Sequence, residues 1–226
     1  MKVGVWLYGF GTVLTGMLAL AWRAFDASHQ PVTSLGNVPG QYILACLAGI
    51  WLVAAGLAML WRRSERIGAA ASAAAYLIFL IMWLPRYYTG IHAFGWRIPV
   101  LLGVSFGVAQ QLLLVAPAVI VYASLTPADS RLRAKAIVAA RWMLGLPPIV
   151  FGLFHLFALH VFASIVPQWI PFGNFWAAST GIAFLLGGVA ICSGIKDVLA
   201  ARLLALMLLL FETLVEAPPI SVRLHN

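Results

Sequence analysis

The segment LYGFGTVLTG at residues 7–16 recurs as MLGLPPIVFG at residues 143–152, with two glycines in register. After a slightly shorter loop in the second copy, Gly49 recurs as Gly181. Matching glycines in apolar stretches predict an internal repeat. Repeated helical units often form a binding site where they meet inside a bilayer, so the repeat indicates both a fold and a place for function.

The composition of the chain is that of a membrane protein. Hydrophobic residues make up 63% of its 226 residues, and charged residues only 9%. A soluble domain cannot bury that much apolar surface, so we expect a polytopic membrane protein in contact with a lipid bilayer. The net charge of +8 is explained by Lys and Arg in cytoplasmic loops, and we expect no nucleic-acid partner.

Seven apolar stretches are long enough, at about 20 residues each, to cross the hydrocarbon core. They cover 3–23, 42–61, 67–85, 98–124, 140–164, 174–194 and 198–217. The expected fold is an all-α membrane helix bundle with three helices, one linker helix and three helices. The first repeat covers 1–95, the linker helix and a cytoplasmic loop cover 96–136, and the second repeat covers 137–226. Because one helix separates the repeats, both enter the membrane from the same side and are parallel.

Lys and Arg are unevenly divided between the two sides of this predicted bundle. With the amino terminus inside, ten lie on the cytoplasmic side and four lie outside, namely Arg23, Arg86, Arg97 and Arg223. Positive charge is enriched in cytoplasmic loops, so we predict a cytoplasmic amino terminus and a periplasmic carboxyl terminus. The first apolar run corresponds to an internal segment of the second repeat, which favours a transmembrane helix over a signal peptide.

A few polar side chains fall inside the predicted helices, where burying a charge or an amide is costly and a functional role is the first hypothesis. They are Gln110 and Gln111 in the fourth helix, His155 and His160 in the fifth, and Glu212 and Glu216 in the seventh. We predict that His155 and Glu212 are the catalytic pair that moves protons, since their depths are compatible with contact directly or through one water. The other four, with Trp169 of the uncharged loop Val166–Pro171 that lies over the same region, are predicted to bind substrate.

Each of these residues also has a purely structural explanation. Glu212 and Glu216 share one helix face, which suits proton uptake or a shared partner, but Glu216 alternatively extends to the outer surface while Glu212 pairs with His or Arg. His155 and His160 are separated by about 140° around a helix, so they do not chelate one metal unless the helix bends. We predict no metal site. A lone intramembrane histidine is often a hydrogen-bonded packing residue.

The stretch from Arg141 to Pro218 carries small residues and short motifs in a recognisable order. They are Gly145, Gly152, His155-Leu-Phe, Val166-Pro-Gln-Trp-Ile-Pro171, Trp176, Thr180-Gly181, Gly187-Gly188 and Ala200-Ala201-Arg202. In this order they resemble the DoxX-like family of small bacterial membrane proteins, with a weaker echo in the first repeat at Gly9, Gly16, Pro31 and Gly49. Members usually form one four-helix unit, so the chain would be a doubled variant. The acidic residue that the family often has after Thr-Gly is absent, since Ile182-Ala183-Phe184 follows.

The resemblance implies a redox role, because a related branch is linked to thiosulfate oxidation with quinone reduction and others to redox partner complexes. We expect a bacterial inner-membrane protein, a redox-associated subunit that binds a quinone or a small sulfur substrate in an outward-facing cavity. Whether it is itself an oxidoreductase stays open, and the cofactor stays open between a quinone and non-covalent haem. Two alternatives remain: a small-molecule or lipid transporter, and a non-catalytic partner of another membrane complex.

Overall fold

The computed structural model describes residues 3–25, 40–211 and 213–214, and every regular element within them is helical. The helices in these ranges are α1 (Val3–Trp22), α2 (Gln41–Leu60), α3 (Glu65–Trp83), α4 (Arg86–Phe94), α5 (Ile98–Ser124), α6 (Arg131–Phe157), α7 (Leu159–Ile165), α8 (Gly173–Ser193) and α9 (Asp197–Phe211). The all-α class predicted from the sequence is confirmed for this part of the chain.

Six helical segments in the described ranges are long and apolar enough to cross a membrane. Five are α1, α2, α5, α6 and α8, and the sixth joins α3 and α4 into Glu65–Phe94. α9 is also apolar and runs from Asp197 to Phe211, whereas the predicted seventh span continues to residue 217, which lies outside the described residues. The number and hydropathy of these helices agree with a multi-pass membrane protein.

The largest departure from the predicted boundaries is in the fifth span. The sequence predicts a helix over 140–164, whereas α6 begins at Arg131 and ends at Phe157. Pro147 and Pro148 therefore lie inside the helix and not at its start. Ala158 leaves helical geometry, with φ −116° and ψ 37°, and the chain continues as the separate helix α7. The placement of His155 and His160 on one helix was therefore wrong, because the helix breaks between them.

The described helices group into two compact units. The first unit contains Met1–Ala93 and Gln110–Met143, and the second contains Phe94–Ala109 and Leu144–Asn226. The predicted linker helix α5 is divided between them, with its second half in the first unit and its first half in the second. α6 is divided as well, with Arg131–Met143 in the first unit and the rest of the helix in the second.

Glycines bring α1 and α2 together in the first unit. A Cβ atom added to Gly16 would lie 2.6 Å from the Gly49 carbonyl oxygen, and one added to Gly56 would lie 2.8 Å from the Gly9 carbonyl oxygen. Real Cβ atoms do not approach a backbone oxygen this closely, so the two backbones are at a separation that only glycine allows. On each helix the two glycines are two turns apart and share one face.

The second unit repeats these contacts between α6 and α8. A Cβ atom on Gly152 would lie 2.5 Å from the Gly181 carbonyl oxygen, and one on Gly188 would lie 2.6 Å from the Gly145 carbonyl oxygen. Each contact is the counterpart of one in the first unit, because the glycines on α6 correspond to those on α1 and the glycines on α8 to those on α2. The two units thus share a packing pattern, as the internal repeat predicts.

The shared pattern extends beyond the glycines that indicated the repeat. Gly56 and Gly188 form a further matched pair in the same register that relates Gly49 to Gly181. Their neighbours match as well, since Val13 lies against Gly56 where Ile149 lies against Gly188. Matched contacts between matched residues are stronger support for a repeat than matched glycines alone, because glycine is frequent in membrane helices.

A proline and a tyrosine connect α5 to the first unit. Pro117 lies inside α5, and a proline there deprives the Leu113 carbonyl of its usual helical donor. The adjacent Leu114 carbonyl accepts a hydrogen bond from the Tyr8 hydroxyl of α1. Neighbouring helices commonly supply such donors where proline interrupts a membrane helix. Tyr8 therefore fixes α1 against the second half of α5.

Candidate functional site

His155 lies in the last turn of α6 and is half-buried. Its Nδ1 atom is 2.8 Å from the Phe151 carbonyl oxygen, one turn earlier in the helix. A carbonyl oxygen only accepts hydrogen bonds, so Nδ1 is the donor. In the neutral ring Nε2 then carries the lone pair. The side chain thus has one defined acceptor atom in a fixed orientation.

Aromatic rings surround His155 in the second unit. Phe162 of α7 stacks on the imidazole, with ring centroids 3.7 Å apart and 14° between the planes. On a straight helix residues seven apart are separated by about 10 Å, so the break at Ala158 is what permits this contact. Phe184 of α8 lies 5.4 Å from the imidazole and also contacts the ring of Phe151. The surroundings of the imidazole are therefore apolar.

His160 and Trp169, both predicted to bind substrate, are exposed. His160 lies in α7, and Trp169 lies in the loop before α8 with 65% of its surface exposed. That loop is a compact turn: the Ile170 amide donates to the Pro167 carbonyl at 2.9 Å, and Trp176 Nε1 donates to the Pro171 carbonyl at 3.0 Å. The described ring contacts include neither His160 nor Trp169 in the cluster around His155.

The other predicted site residues are divided over the chain. Glu212 and Glu216 lie outside the described residues, so the pairing of Glu212 with His155 stays a prediction. Gln110 and Gln111 belong to the first unit, where Gln110 is half-buried and Gln111 is fully buried in α5. Within 3–25, 40–211 and 213–214, no three His, Cys, Asp or Glu side chains form a group that could hold a metal ion.

The first unit contains a cavity of about 290 Å³ between α1, α2, α3 and α5. Its side chains are apolar apart from the Thr15 hydroxyl and the Trp22 indole N–H, and the lining consists of Thr15, Leu18, Ala19, Trp22, Ala24, Phe25, Ala48, Leu52, Phe79 and Leu114. Leu18 and Trp22 are also exposed at the surface of the unit, so the cavity reaches the outside of α1 near its carboxyl end. No charged side chain is among the lining residues.

Thr15, which lines the cavity, belongs to a network of hydroxyl groups on α1 and α3. Tyr76 of α3 makes side-chain hydrogen bonds with Thr12 and Thr15. The Thr12 hydroxyl donates to the Tyr8 carbonyl at 2.9 Å, and the Thr15 hydroxyl donates to the Gly11 carbonyl at 3.0 Å. The single hydrogen of each threonine is used by a carbonyl, and the single hydroxyl hydrogen of Tyr76 is shared between the two threonine oxygens or donated to one of them. The inner wall of the cavity therefore offers a ligand no unused hydroxyl hydrogen.

The sequence-based prediction missed this network because it considered histidines, carboxylates and amides inside the helices but not hydroxyl groups. A signal was present, since Tyr8, Thr12 and Thr15 follow one another at helical spacing and so share one helix face. The cavity itself gives no such signal. It arises where small side chains such as Ala19 and Ala48 leave space, and alanine is common throughout the chain.

Positions that line the cavity in the first unit correspond, through the repeat, to positions that carry the rings around His155 in the second unit. In the register set by the glycines, the corresponding positions are Thr15 with Phe151, Leu18 with Phe154, Ala19 with His155, Leu52 with Phe184 and Phe79 with Phe211. All of these positions except the last have a larger or aromatic side chain in the second unit. The second unit thus places rings at positions that border open space in the first.

No known family model, curated protein or solved structure matches the chain. The resemblance of the second repeat to the DoxX-like family therefore stays a prediction.

Proposed function

We propose that the protein is a redox-associated subunit of the bacterial inner membrane that binds a quinone at His155. The observation that carries the proposal is the fixed imidazole, whose Nδ1 donates to the Phe151 carbonyl while Phe162 stacks on its face. A quinone site needs an apolar surrounding and a few well-placed hydrogen-bonding groups. The phenylalanine rings supply the apolar surrounding, and Nε2 of His155 supplies a hydrogen-bonding group. The DoxX-like resemblance supports the same assignment.

The chemistry of Nε2 suits both redox states of a quinone. Neutral His155 accepts a hydrogen bond from a quinol hydroxyl through Nε2, and protonated His155 donates one to a quinone carbonyl. Histidine changes charge near neutral pH, so it is able to take up or release the proton that accompanies quinone reduction or oxidation. Glu212 would carry that proton onward. The electrons would be exchanged with a partner redox complex or a small sulfur substrate.

We also propose seven membrane spans, arranged as two parallel repeats around α5, with the amino terminus cytoplasmic and the carboxyl terminus periplasmic. α9 and the residues beyond Phe211 would form the seventh span. The excess of Lys and Arg in the loops assigned to the cytoplasm supports this orientation.

Quinone binding is tested by replacing His155 with a ring that has no nitrogen. Purified protein should retain quinone on organic extraction and bind a short-chain ubiquinone analogue. His155→Phe should weaken that binding by about three- to tenfold, the effect of losing one hydrogen bond. His92→Phe is the matched control, because His92 is exposed in α4 and belongs to the first unit. Equal affinity of wild type and His155→Phe would show that His155 is a packing residue.

The same preparation separates the alternatives. A Soret band in the absorption spectrum would indicate that His155 binds haem and not a quinone. Retained phospholipid without any quinone would favour a lipid-handling protein. Loss of an unrelated membrane complex on deletion of the gene, with no bound quinone or haem, would favour the non-catalytic partner.

A further inference from the structure

We infer that the cavity of the first unit binds a flexible hydrocarbon chain, the chemistry shared by phospholipid acyl chains and isoprenoid tails. This site is independent of the quinone site proposed at His155, which belongs to the second unit. It assigns a binding role to the first repeat, which has Ala19 at the position that corresponds to His155.

The lining of the cavity selects for hydrocarbon. Apart from Thr15 and the indole N–H of Trp22, the lining side chains are entirely apolar, and the hydroxyl hydrogen of Thr15 is used by the Gly11 carbonyl. A polar headgroup placed here would lose its hydrogen bonds to water and find few replacements, which is costly. An apolar cavity of this kind excludes water as well, and a dry cavity readily accepts an apolar ligand.

The size and opening of the cavity fit one chain. Protein interiors are close-packed, and voids much larger than a water molecule are few. At about 30 Å³ for each water-sized group, a volume of about 290 Å³ accommodates roughly ten such groups. Leu18 and Trp22 border the cavity and are also exposed, so a chain is able to enter from the lipid around α1.

The second repeat indicates that the open space is not required by the fold. The same helix pairing forms in both units, yet the positions of Thr15, Leu18 and Leu52 hold Phe151, Phe154 and Phe184 in the second unit. The contact between Phe151 and Phe184, with ring centroids 5.6 Å apart, shows rings meeting where the first unit has smaller side chains. The repeat architecture therefore accommodates a filled interior, and the first unit has an open one.

The experiment labels the delipidated full-length protein with palmitic acid that carries a photoactivatable diazirine on its chain. Crosslinks should concentrate on peptides of α1 and α2 that contain Leu18, Trp22 and Ala48. Leu52→Phe, which copies Phe184, should reduce this labelling by about tenfold, because its ring displaces roughly two methylene groups of the probe. Ala19→Leu is a second, smaller filling variant and should also reduce labelling. Leu57→Phe, the same change on the exposed face of α2, should leave it unchanged.

Competition distinguishes the two sources of the chain. Excess phosphatidylethanolamine should displace the probe if acyl chains are the natural occupant, and long-tailed ubiquinone should do so if the occupant is an isoprenoid. Either result supports the chain-binding site. Labelling spread evenly over the exposed helices, or labelling of Leu52→Phe and Ala19→Leu equal to wild type, would overturn it. These labelling results do not test quinone binding at His155, which is tested separately by His155→Phe.

Discussion

A single hydroxyl group, that of Tyr8, joins the repeat helix α1 to the proline-containing helix α5. Its partner is the carbonyl of Leu114, in the turn that Pro117 disrupts. Tyr8 is also close to Tyr76, with ring centroids 6.5 Å apart, at one end of the hydroxyl network. The hydroxyl groups of Tyr8, Thr12 and Thr15 thus each donate to a backbone carbonyl of the first unit, which suits polar groups inside a bilayer.

Replacing Tyr8 with phenylalanine tests the role of this hydroxyl. The change keeps the ring and removes the donor to the Leu114 carbonyl, so we expect a loss of about 0.5–1.5 kcal/mol of stability. The measurement is the midpoint of thermal unfolding in detergent. Tyr42→Phe removes the hydroxyl of an exposed tyrosine on α2 and should leave the midpoint unchanged. A similar midpoint for wild type and Tyr8→Phe would contradict the proposed link.

At the same scale, the sequence identified His155 but not its surroundings. A histidine in a membrane helix attracts attention because it is costly there. Its stacking on Phe162 depends on the break at Ala158, and no proline or glycine at that position announces it. The assignment of Trp169 to the site relied on its place in the loop alone, and the structure shows the side chain exposed.

At the scale of the helix, the glycine contacts give the sharpest prediction. Gly16→Ala and Gly152→Ala each place a methyl group against a backbone oxygen of the neighbouring helix, at 2.6 Å and 2.5 Å. Backbone oxygens move only with their helix, so each variant should lose about 1–3 kcal/mol of stability. Because the contacts are equivalent, the two losses in the midpoint of thermal unfolding should be similar.

Gly11→Ala is the control for both glycine variants. Gly11 is on the same helix as Gly16, but no atom of a packed neighbour lies within 4 Å of an added Cβ. Alanine favours a helix over glycine by up to about 1 kcal/mol, so this variant should be neutral or slightly stabilising. A destabilisation by Gly11→Ala as large as that by Gly16→Ala would mean that close packing does not explain the effect.

Helix boundaries were predictable where apolar length alone decides them. α5 begins and ends where the sequence predicts, because Ile98–Ser124 contains no charged residue and is apolar apart from a few side chains such as Gln110 and Gln111. α6 begins at Arg131, well before the predicted start. Pro147 and Pro148 indicate a helix start in water, but a membrane helix tolerates interior prolines when its neighbours satisfy the freed carbonyls. α4 was not predicted, because it is short and follows Pro85.

At the scale of the whole molecule, the repeat accounts for what the two units share and for where they differ. Both units use matched glycines to bring two helices together, and the recurrence of those glycines in the sequence is sufficient to predict this shared helix packing. The division of α5 between the units was not predictable, since a linker between two copies carries no repeat signal of its own. The first unit has an open interior and the second a ring-filled one, and the ligands proposed for the two units differ accordingly.

The central claim is that the chain contains two parallel repeats in one membrane. Arg63 and Ile195 are equivalent exposed positions of the two repeats, in the loops that precede α3 and α9. The direct measurement is labelling of single cysteines by a membrane-impermeant maleimide in spheroplasts, with Cys46 and Cys192 replaced by serine. Arg63→Cys and Ile195→Cys should react only after permeabilisation, whereas Gln168→Cys, in the loop before α8 that the proposed orientation places outside, should react at once. Reaction of Arg63→Cys and Ile195→Cys from opposite sides would contradict the parallel arrangement.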